Sequence, residues 1–297
     1  MANYAYLCTV IKVTVMKERF LWMLTAILTC GLLTTSCAKN DDPVVPQDEV
    51  EEQLAKMTLR EKVGQMFFVR METLDTTIHW NAYSDLQENP IHEVNQTMRD
   101  VNTNPENIII GPRAFSDDPQ VAAPMVTNYL QGLKDAGVTG CIKHFPGHGD
   151  TKTDTHFGYA STQKTWEEMM DCEMVTFKAG IQWGCQLIMT AHIGAPKVTG
   201  SDVPSTMSSV ILQDKLRGEL GYQNIIITDG MEMGAITQQY SSAEAAVSSI
   251  KAGVDIVLGP KNLVEAFDAV MDAVSKGTIT EERINQSVRR ILKLRKQ

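Results

Sequence analysis

Titratable side chains are dense in one stretch of this sequence, residues 143–156. Lys143 and His144 open the stretch, and Asp154 and His156 close it. Three histidines and two aspartates fall within thirteen residues, just after a short apolar run that is typical of a buried strand. Packing does not call for such a cluster, whereas loops that follow strands commonly carry catalytic residues. The stretch is therefore predicted to be a functional loop.

Polar residues also follow other apolar runs, which alternate with helical patterns as in parallel β/α units. Strands are expected near residues 66, 98, 139, 187, 225 and 255. Asp100, Lys143, His144, His192 and Asp229 all lie at the carboxyl ends of these strands. Because that end carries the active site of a β/α barrel, and no G-x-G-x-x-G follows a strand, the pattern favours a TIM-type (β/α)8 barrel over a doubly wound open sheet.

Helix starts are marked by side chains that can bind the first free N–H groups. Thr58, Thr165 and Ser241 each precede a glutamate by three residues, the pattern of a capping box. Asp118 is a further expected N-cap, and residues 209–220 are predicted to form a helix.

Composition limits the classes of function. The chain has 297 residues and 43% hydrophobic residues, enough for one large α/β domain or two small ones. Its net charge is −9, which argues against nucleic acid as the main partner. Cys141, Cys172 and Cys185 lie in apolar segments and are predicted to be buried thiols, not a disulfide framework.

Residues 1–37 resemble a bacterial lipoprotein signal peptide. Three basic residues between positions 12 and 19 precede a 14-residue apolar run, Phe20 to Leu33, which is too short for a comfortable membrane span. Cys37 is the expected site of lipid attachment, and an ordinary secretory signal is the alternative. The start codon is either Met1 or Met16.

The remainder is expected to divide into a flexible tether, residues 38–52, and a folded domain, residues 53–297. The tether contains two prolines and several acids in its first part and has little that could pack. The protein is accordingly predicted to be lipid-anchored in the bacterial cell envelope, on the periplasmic side or at the outer-membrane surface.

Several long segments resemble glycoside hydrolase family 3, and more narrowly the NagZ-like β-N-acetylhexosaminidases. The matching segments are KHFPGHGDTKTDTH, MTAHI, IIITDGMEMGAI, MTLREKVGQMFFV, DVNTNPENIIIGPRAFSDDP, LRGELGY and AGVDIVLG. They cover most of residues 53–297. The resemblance implies a retaining exo-β-N-acetylglucosaminidase that acts on peptidoglycan fragments or chito-oligosaccharides through a glycosyl-enzyme. It also implies that no metal or organic cofactor is needed.

The resemblance assigns catalytic roles to three residues. By motif position, Asp229 matches the nucleophile, and His156 with Asp154 matches the acid/base pair. The i, i+2 spacing in an extended loop points both side chains of the pair the same way. Asp154 would then fix the imidazole tautomer, and a histidine that titrates near neutrality suits a group that must give and take a proton.

Five further residues are implied in sugar binding. Lys143 and His144 resemble the family's binders of sugar hydroxyls. Arg113 and Asp100 match positions that line the pocket for the cleaved sugar. His192, at a strand end, is expected to face the same pocket.

One departure from the family pattern affects both fold and function. In the family, two further β/α units lie between the first strand and the strand before Asp100, and one carries a sugar-contacting D-x-E-G-G-type segment. Here only about 28 residues separate Val69 from Met98. The barrel is therefore predicted to lack about two β/α units between residues 70 and 98. An unpaired strand edge there would favour a homo-oligomer.

Alternative functions remain open at this point. A truncated relative could bind sugar without cleaving it, and a β-glucosidase is a further alternative, although such members generally lack the Asp-x-His pair. His144, His148 and Asp150 could instead hold the metal ion of a hydrolase. Asp229 could be a helix cap.

Overall fold

The structure is a computed structural model and describes residues 47–69, 100–104, 106–107, 110–111, 114–152 and 155–296. The chain divides into two compact units, Met1–Asp42 and Pro43–Gln297, and every described residue belongs to the second unit. The predicted signal peptide with Cys37 lies outside the described residues, as do Arg113 and Asp154.

The described strands are short, and their pairings are parallel. They are β1 Phe67–Phe68, β2 Cys141–Phe145, β3 Ala160–Ser161, β4 Leu187–Thr190, β5 Ile193–Gly194, β6 Ile225–Ile227 and β7 Val257–Leu258.

The main sheet runs in the order β2–β4–β6–β7–β1. The first three strands are directly paired, a bridge from Ile227 to Ile256 joins β6 to the start of β7, and β7 pairs with β1. Strands β3 and β5 form a separate parallel pair. The α/β class with parallel strands is confirmed, and five predicted strands are present. The sixth, near residue 98, falls largely outside the described residues, and residues 100–104 form no strand.

In the described part of the chain, two helices precede β1, and further helices lie between and after the later strands. They are α1 Gln47–Lys56, α2 Leu59–Gln65, α3 Pro119–Asp135, α4 Trp166–Met170, α5 Glu173–Trp183, α6 Pro196–Thr199, α7 Gly234–Thr237, α8 Ser242–Ala252, α9 Leu263–Ser275 and α10 Glu281–Arg295. A 3₁₀ turn spans Ser205–Met207. None of the helices in the described ranges is long and apolar enough to cross a bilayer.

The predicted helix starts are confirmed. Complete capping boxes form at Thr58, Thr165 and Ser241, and the Asp118 side chain accepts from the N–H of the second helical residue. The helix expected over residues 209–220 is present as Val210–Glu219, but it is wound as a π-helix. These caps satisfy N–H groups that have no partner inside their helices.

The predicted tether over residues 38–52 is wrong for residues 47–52, which belong to α1. Val50 and Leu54 lie four residues apart, so they share one helix face, and both are buried in the core. Arg289 of α10 binds Glu51 at 2.7 Å. The acidic composition of this segment therefore marks the exposed face of a packed helix.

A buried carboxylate fixes the end of the sheet opposite the polar cluster. Asp255 accepts hydrogen bonds from Arg217 at 2.7 Å, from Arg290 at 3.0 Å and from the Ser287 hydroxyl at 2.5 Å. It also accepts from the backbone N–H of Ile226 at 3.0 Å. A buried charge is tolerated only when it is paired and hydrogen-bonded. Asp255 thereby ties β6 and β7 to the π-helix and α10.

Candidate active site

Residues from three adjacent strands meet at the carboxyl edge of the main sheet. Lys143 and His144 belong to β2, His192 follows β4, and Asp229 follows β6. His144 Nε2 lies 3.6 Å from Asp229 Oδ2, and His192 Nε2 lies 2.9 Å from the carbonyl oxygen of Gly230. His144 and Asp229 therefore lie close together at this edge, and His192 contacts the residue that follows Asp229.

Backbone hydrogen bonds hold both the main chain and the side chain of Asp229. Its N–H donates to the carbonyl of Thr190 on β4 at 3.2 Å, and the N–H of Gly230 donates to Oδ1 at 2.8 Å. The side chain keeps 20% of its surface exposed. One carboxylate oxygen is thus fixed by the chain, while Oδ2 faces His144.

The pKa of Asp229 is lowered to about 2. Burial opposes ionisation, but the electrostatic interactions with His144, His192 and Lys143 and the hydrogen bond from the Gly230 N–H outweigh it. The carboxylate is therefore charged at neutral pH, which is the form that a nucleophile requires.

His144 is a buried, neutral imidazole at neutral pH. Burial lowers its pKa to about 4, although the adjacent Asp100 carboxylate acts in the opposite direction. Nδ1 lies 2.7 Å from Asp100 Oδ2. Because an ionised carboxylate can only accept, Nδ1 carries the proton. Nε2 is then a hydrogen-bond acceptor that faces the Asp229 side.

Asp100 does not take the position that the resemblance implies. Its side chain is fully buried, and it accepts from the backbone N–H of His144 at 3.2 Å and of His148 at 2.7 Å, besides the His144 ring. Burial raises and the two histidines lower its pKa, with a net lowering. Asp100 therefore anchors the loop and orients His144, and its carboxylate is not presented to a sugar.

His148 is bracketed by two threonine hydroxyls. Nδ1 lies 2.6 Å from Thr151 Oγ1, and Nε2 lies 3.2 Å from Thr155 Oγ1. Both ring nitrogens thus have protein partners. Among the residues that the structure describes, no three His, Cys, Asp or Glu side chains are placed to share a metal ion. The geometry gives no support to the metal-site hypothesis.

His192 is also enclosed. Its Nε2 donates to the Gly230 carbonyl, and its Nδ1 lies 2.9 Å from Thr206 Oγ1. Burial lowers its pKa, and both ring nitrogens have protein partners. The resemblance implies that His192 binds substrate. In the structure the side chain is buried, and its polar atoms contact the Gly230 carbonyl and the Thr206 hydroxyl.

The loop 143–150 rests on the segment that follows Asp100. A Cβ on Gly149 would overlap the carbonyl oxygen of Val101, so only glycine fits there. Asn104 N–H donates to the Gly149 carbonyl at 3.2 Å, and the Asn107 amide donates to the His148 carbonyl at 2.8 Å. The residue types alone do not single out these asparagines, although both lie in the segment DVNTNPEN.

His156 is exposed and lies in a segment attached to α7. Its backbone carbonyl accepts from Gly234 N–H at 3.0 Å, five residues after Asp229. The other member of the predicted pair, Asp154, lies outside the described residues, as does Arg113. The roles predicted for Asp154 and Arg113, and the acid/base role of His156, therefore stay predictions.

A parallel β/α fold with an ionised carboxylate and polar side chains at its carboxyl edge is the arrangement of many β/α enzymes. The chain belongs to glycoside hydrolase family 3. The model for the "Glycosyl hydrolase family 3 N terminal domain" matches residues 77–294.

Two curated relatives and one solved structure support this assignment. β-Hexosaminidase A of Pseudoalteromonas piscicida is 33% identical over 66% of this chain and 36% of its own length. β-Hexosaminidase of Xanthomonas oryzae is 36% identical over 55% of this chain and 49% of its own length. The family 3 β-N-acetylglucosaminidase from Paenibacillus sp. FPU-7 is 39% identical with a TM-score of 0.65, over 66% of this chain and 38% of that chain. The chain thus spans a third to a half of the length of these relatives.

Proposed function

We propose that the protein is a retaining β-N-acetylglucosaminidase that releases terminal GlcNAc from an oligosaccharide. The observation that carries the proposal is Asp229, an ionised carboxylate fixed at a strand end beside a neutral His144. The names of the similar proteins, hexosaminidases and an N-acetylglucosaminidase, support GlcNAc as the sugar.

In the first step, Asp229 Oδ2 attacks the anomeric carbon, and the bond from that carbon to the leaving oxygen breaks. His156 donates its proton to this oxygen, so the aglycone leaves as an alcohol. In the second step, His156 takes a proton from water, and the resulting hydroxide displaces Asp229 with a second inversion. Asp154, two residues before His156, would orient the imidazole.

Sugar binding is assigned to groups around Asp229. Nε2 of His144 offers an acceptor to a sugar hydroxyl, because its Nδ1 proton is used by Asp100. Lys143 offers donors nearby, since its charge contributes to the low pKa of Asp229. Arg113 is proposed as a further donor. His192 and Asp100 act indirectly, by holding Gly230 and His144.

Peptidoglycan fragments and chito-oligosaccharides are the proposed substrates. We further infer that the barrel lacks about two β/α units between residues 70 and 98, given the short separation of Val69 and Met98. That shortening favours a second candidate function, in which the protein binds a sugar but does not cleave it.

One experiment separates these possibilities. The protein is incubated with an aryl N-acetyl-β-glucosaminide and, separately, with the matching aryl β-glucoside, and Asp229→Ala serves as the control. We expect the aryl alcohol to be released from the N-acetyl-β-glucosaminide alone, and Asp229→Ala to abolish this release. Release from the second alone would replace the proposal with a β-glucosidase. Calorimetric binding of GlcNAc without turnover in either assay would establish the sugar-binding alternative.

We also propose that residues 1–37 direct the chain to the bacterial envelope and that Cys37 is lipidated. Metabolic labelling with a palmitate analogue should mark the full chain and not Cys37→Ser. Unlabelled, secreted protein would support the ordinary secretory signal instead. A homo-oligomer remains a prediction from the strand edge expected near residue 70.

A further inference from the structure

We infer that α7 positions the proton-donating loop through a clamp formed by Gly234, Ala235 and Gln238, called here the α7 clamp. The inference rests on the proposed function, because it takes His156 as the acid/base. It adds positioning residues that act on His156 through its backbone.

The first half of the clamp is made by backbone amides. Gly234 N–H donates to the carbonyl of His156 at 3.0 Å, and Ala235 N–H donates to the carbonyl of Thr155 at 3.1 Å. Both N–H groups open a helix and have no acceptor within it. The loop carbonyls thus satisfy donors of α7.

The second half is made by one side chain. Gln238 Nε2 donates to the carbonyl oxygen of Phe157 at 2.7 Å. Three successive loop carbonyls, those of residues 155–157, are therefore held by one short stretch of chain.

The close approach requires glycine at position 234. A Cβ there would lie 2.7 Å from the carbonyl oxygen of His156 and 3.0 Å from the carbonyl carbon of Phe157. These are backbone atoms, so the loop would have to move away as a unit. By contrast, a Cβ on Gly158 would meet only Gln238 Oε1, at an ordinary 3.7 Å.

Side-chain burial does not hold this part of the loop. Phe157 is 79% exposed, and His156 is exposed as well. Thr155 is the buried member, and its hydroxyl lies 3.2 Å from His148 Nε2. The clamp therefore contributes to the placement of residues 156 and 157 through the hydrogen bonds to their carbonyl oxygens.

The same stretch of chain fixes Asp229 relative to the clamp. Met231 N–H donates to the carbonyl of Leu258 on β7 at 2.9 Å, and Met233 N–H donates to the carbonyl of Gly230 at 3.1 Å. The segment from Asp229 to α7 is thus tied to the sheet at Asp229 and Met231, and its own hydrogen bond from Met233 to Gly230 holds its turn. The clamp links the backbone of the acid/base to that of the nucleophile, and a misplacement of about 1 Å between such groups can cost about 10²-fold in rate.

The test uses kcat/KM, which reports the steps up to formation of the glycosyl-enzyme. Gln238→Met keeps the side-chain length but removes the donor, and Gly234→Ala removes the room for the loop. Both variants should lose roughly 10- to 100-fold on chitobiose, because general acid catalysis contributes about 10²–10⁴-fold and its geometry is disturbed. On 2,4-dinitrophenyl N-acetyl-β-glucosaminide, the kcat/KM of both variants should stay within about 3-fold of wild type, because this leaving group needs no proton.

Two matched variants control for nonspecific effects. Gln239→Ala changes the next residue, which is also exposed and whose side chain makes no hydrogen bond within the described ranges. Gly158→Ala adds a methyl group to the same loop without a close contact. Both should keep wild-type values on both substrates. Thermal unfolding identifies any variant that fails to fold.

The outcomes separate this inference from the proposed function. If wild type cleaves neither substrate, or His156→Ala loses both equally, the assignment of His156 fails and the inference with it. If His156→Ala is selectively impaired on chitobiose while folded Gln238→Met and Gly234→Ala match wild type on both substrates, the clamp is refuted and the proposed function stands. Equal losses on both substrates would also refute it, since the effect would then not involve proton donation.

Discussion

Replacing Asp100 with asparagine tests how the loop and His144 are held. The buried carboxylate accepts from the backbone N–H groups of His144 and His148 and from the His144 ring. An asparagine of the same shape retains one acceptor but carries no charge. We expect the free energy of unfolding to fall by about 2–4 kcal/mol, since each hydrogen bond to a charged group contributes about 1.5–3 kcal/mol and those made to the carboxylate would be weakened.

The same substitution should change the proton position on His144. In Asp100→Asn, the amide NH2 can donate to Nδ1, so the ring proton moves to Nε2. It would then point toward Asp229 Oδ2, 3.6 Å away, and compete for the attacking oxygen. We expect kcat/KM to fall by at least about 10-fold, the effect of roughly 1.4 kcal/mol on the barrier.

Urea unfolding measures the first effect, and ¹⁵N NMR of the histidine rings measures the second. Asp117→Asn, an exposed acid near Asp100 in sequence, is the control and should leave both unchanged. An Asp100→Asn protein that loses less than about 0.5 kcal/mol and keeps the Nδ1–H tautomer would refute the assigned role, because such a loss is within the range of ordinary surface changes.

Two other predictions follow from the loop. Gly149→Ala should lower the melting temperature and the activity, because its Cβ would overlap the Val101 backbone and overpacking costs about 1–3 kcal/mol or more. Gly132→Ala, in open space on α3, should not lower the melting temperature, and equal melting temperatures would contradict the packing argument. The pKa of His144 is lowered from 6.5 to about 4 in the folded protein, so the unfolded chain binds the extra proton and stability should decline as pH falls from about 6.5 to 4. The decline from this group is on the order of 3 kcal/mol. His144→Gln should flatten the pH dependence of urea unfolding in that window, and an unchanged slope would show that His144 does not carry it.

Local signals in the sequence predict much of the fold. Capping boxes such as Thr58 with Glu61 depend on residues three apart, and the structure forms them as expected. Asp229 is placed correctly at a strand end because a continuous apolar run precedes it. In both cases the determining interactions are close in sequence.

Side-chain partners far apart in sequence are not predictable in this way. Asp100 binds His144 across 44 positions, and His192 binds Gly230 across 38. An aspartate or a histidine at a strand end suits substrate binding equally well. Only the fold shows that the polar atoms of Asp100 and His192 form hydrogen bonds with other protein groups. The segment after residue 46 is similarly ambiguous in sequence. Its acids suit a tether, and the burial of Val50 and Leu54 is seen only once the fold packs α1 against the core and α10.

The most direct test of the central claim is covalent trapping of the nucleophile. The protein is incubated with a 5-fluoro derivative of GlcNAc fluoride, which slows release of the glycosyl-enzyme, and its peptides are mapped by mass spectrometry. We expect one sugar per chain, attached to Asp229 in the peptide that contains ITDGMEMG. A sugar on any other residue, or turnover of GlcNAc substrates by Asp229→Ala at the wild-type rate, would contradict it.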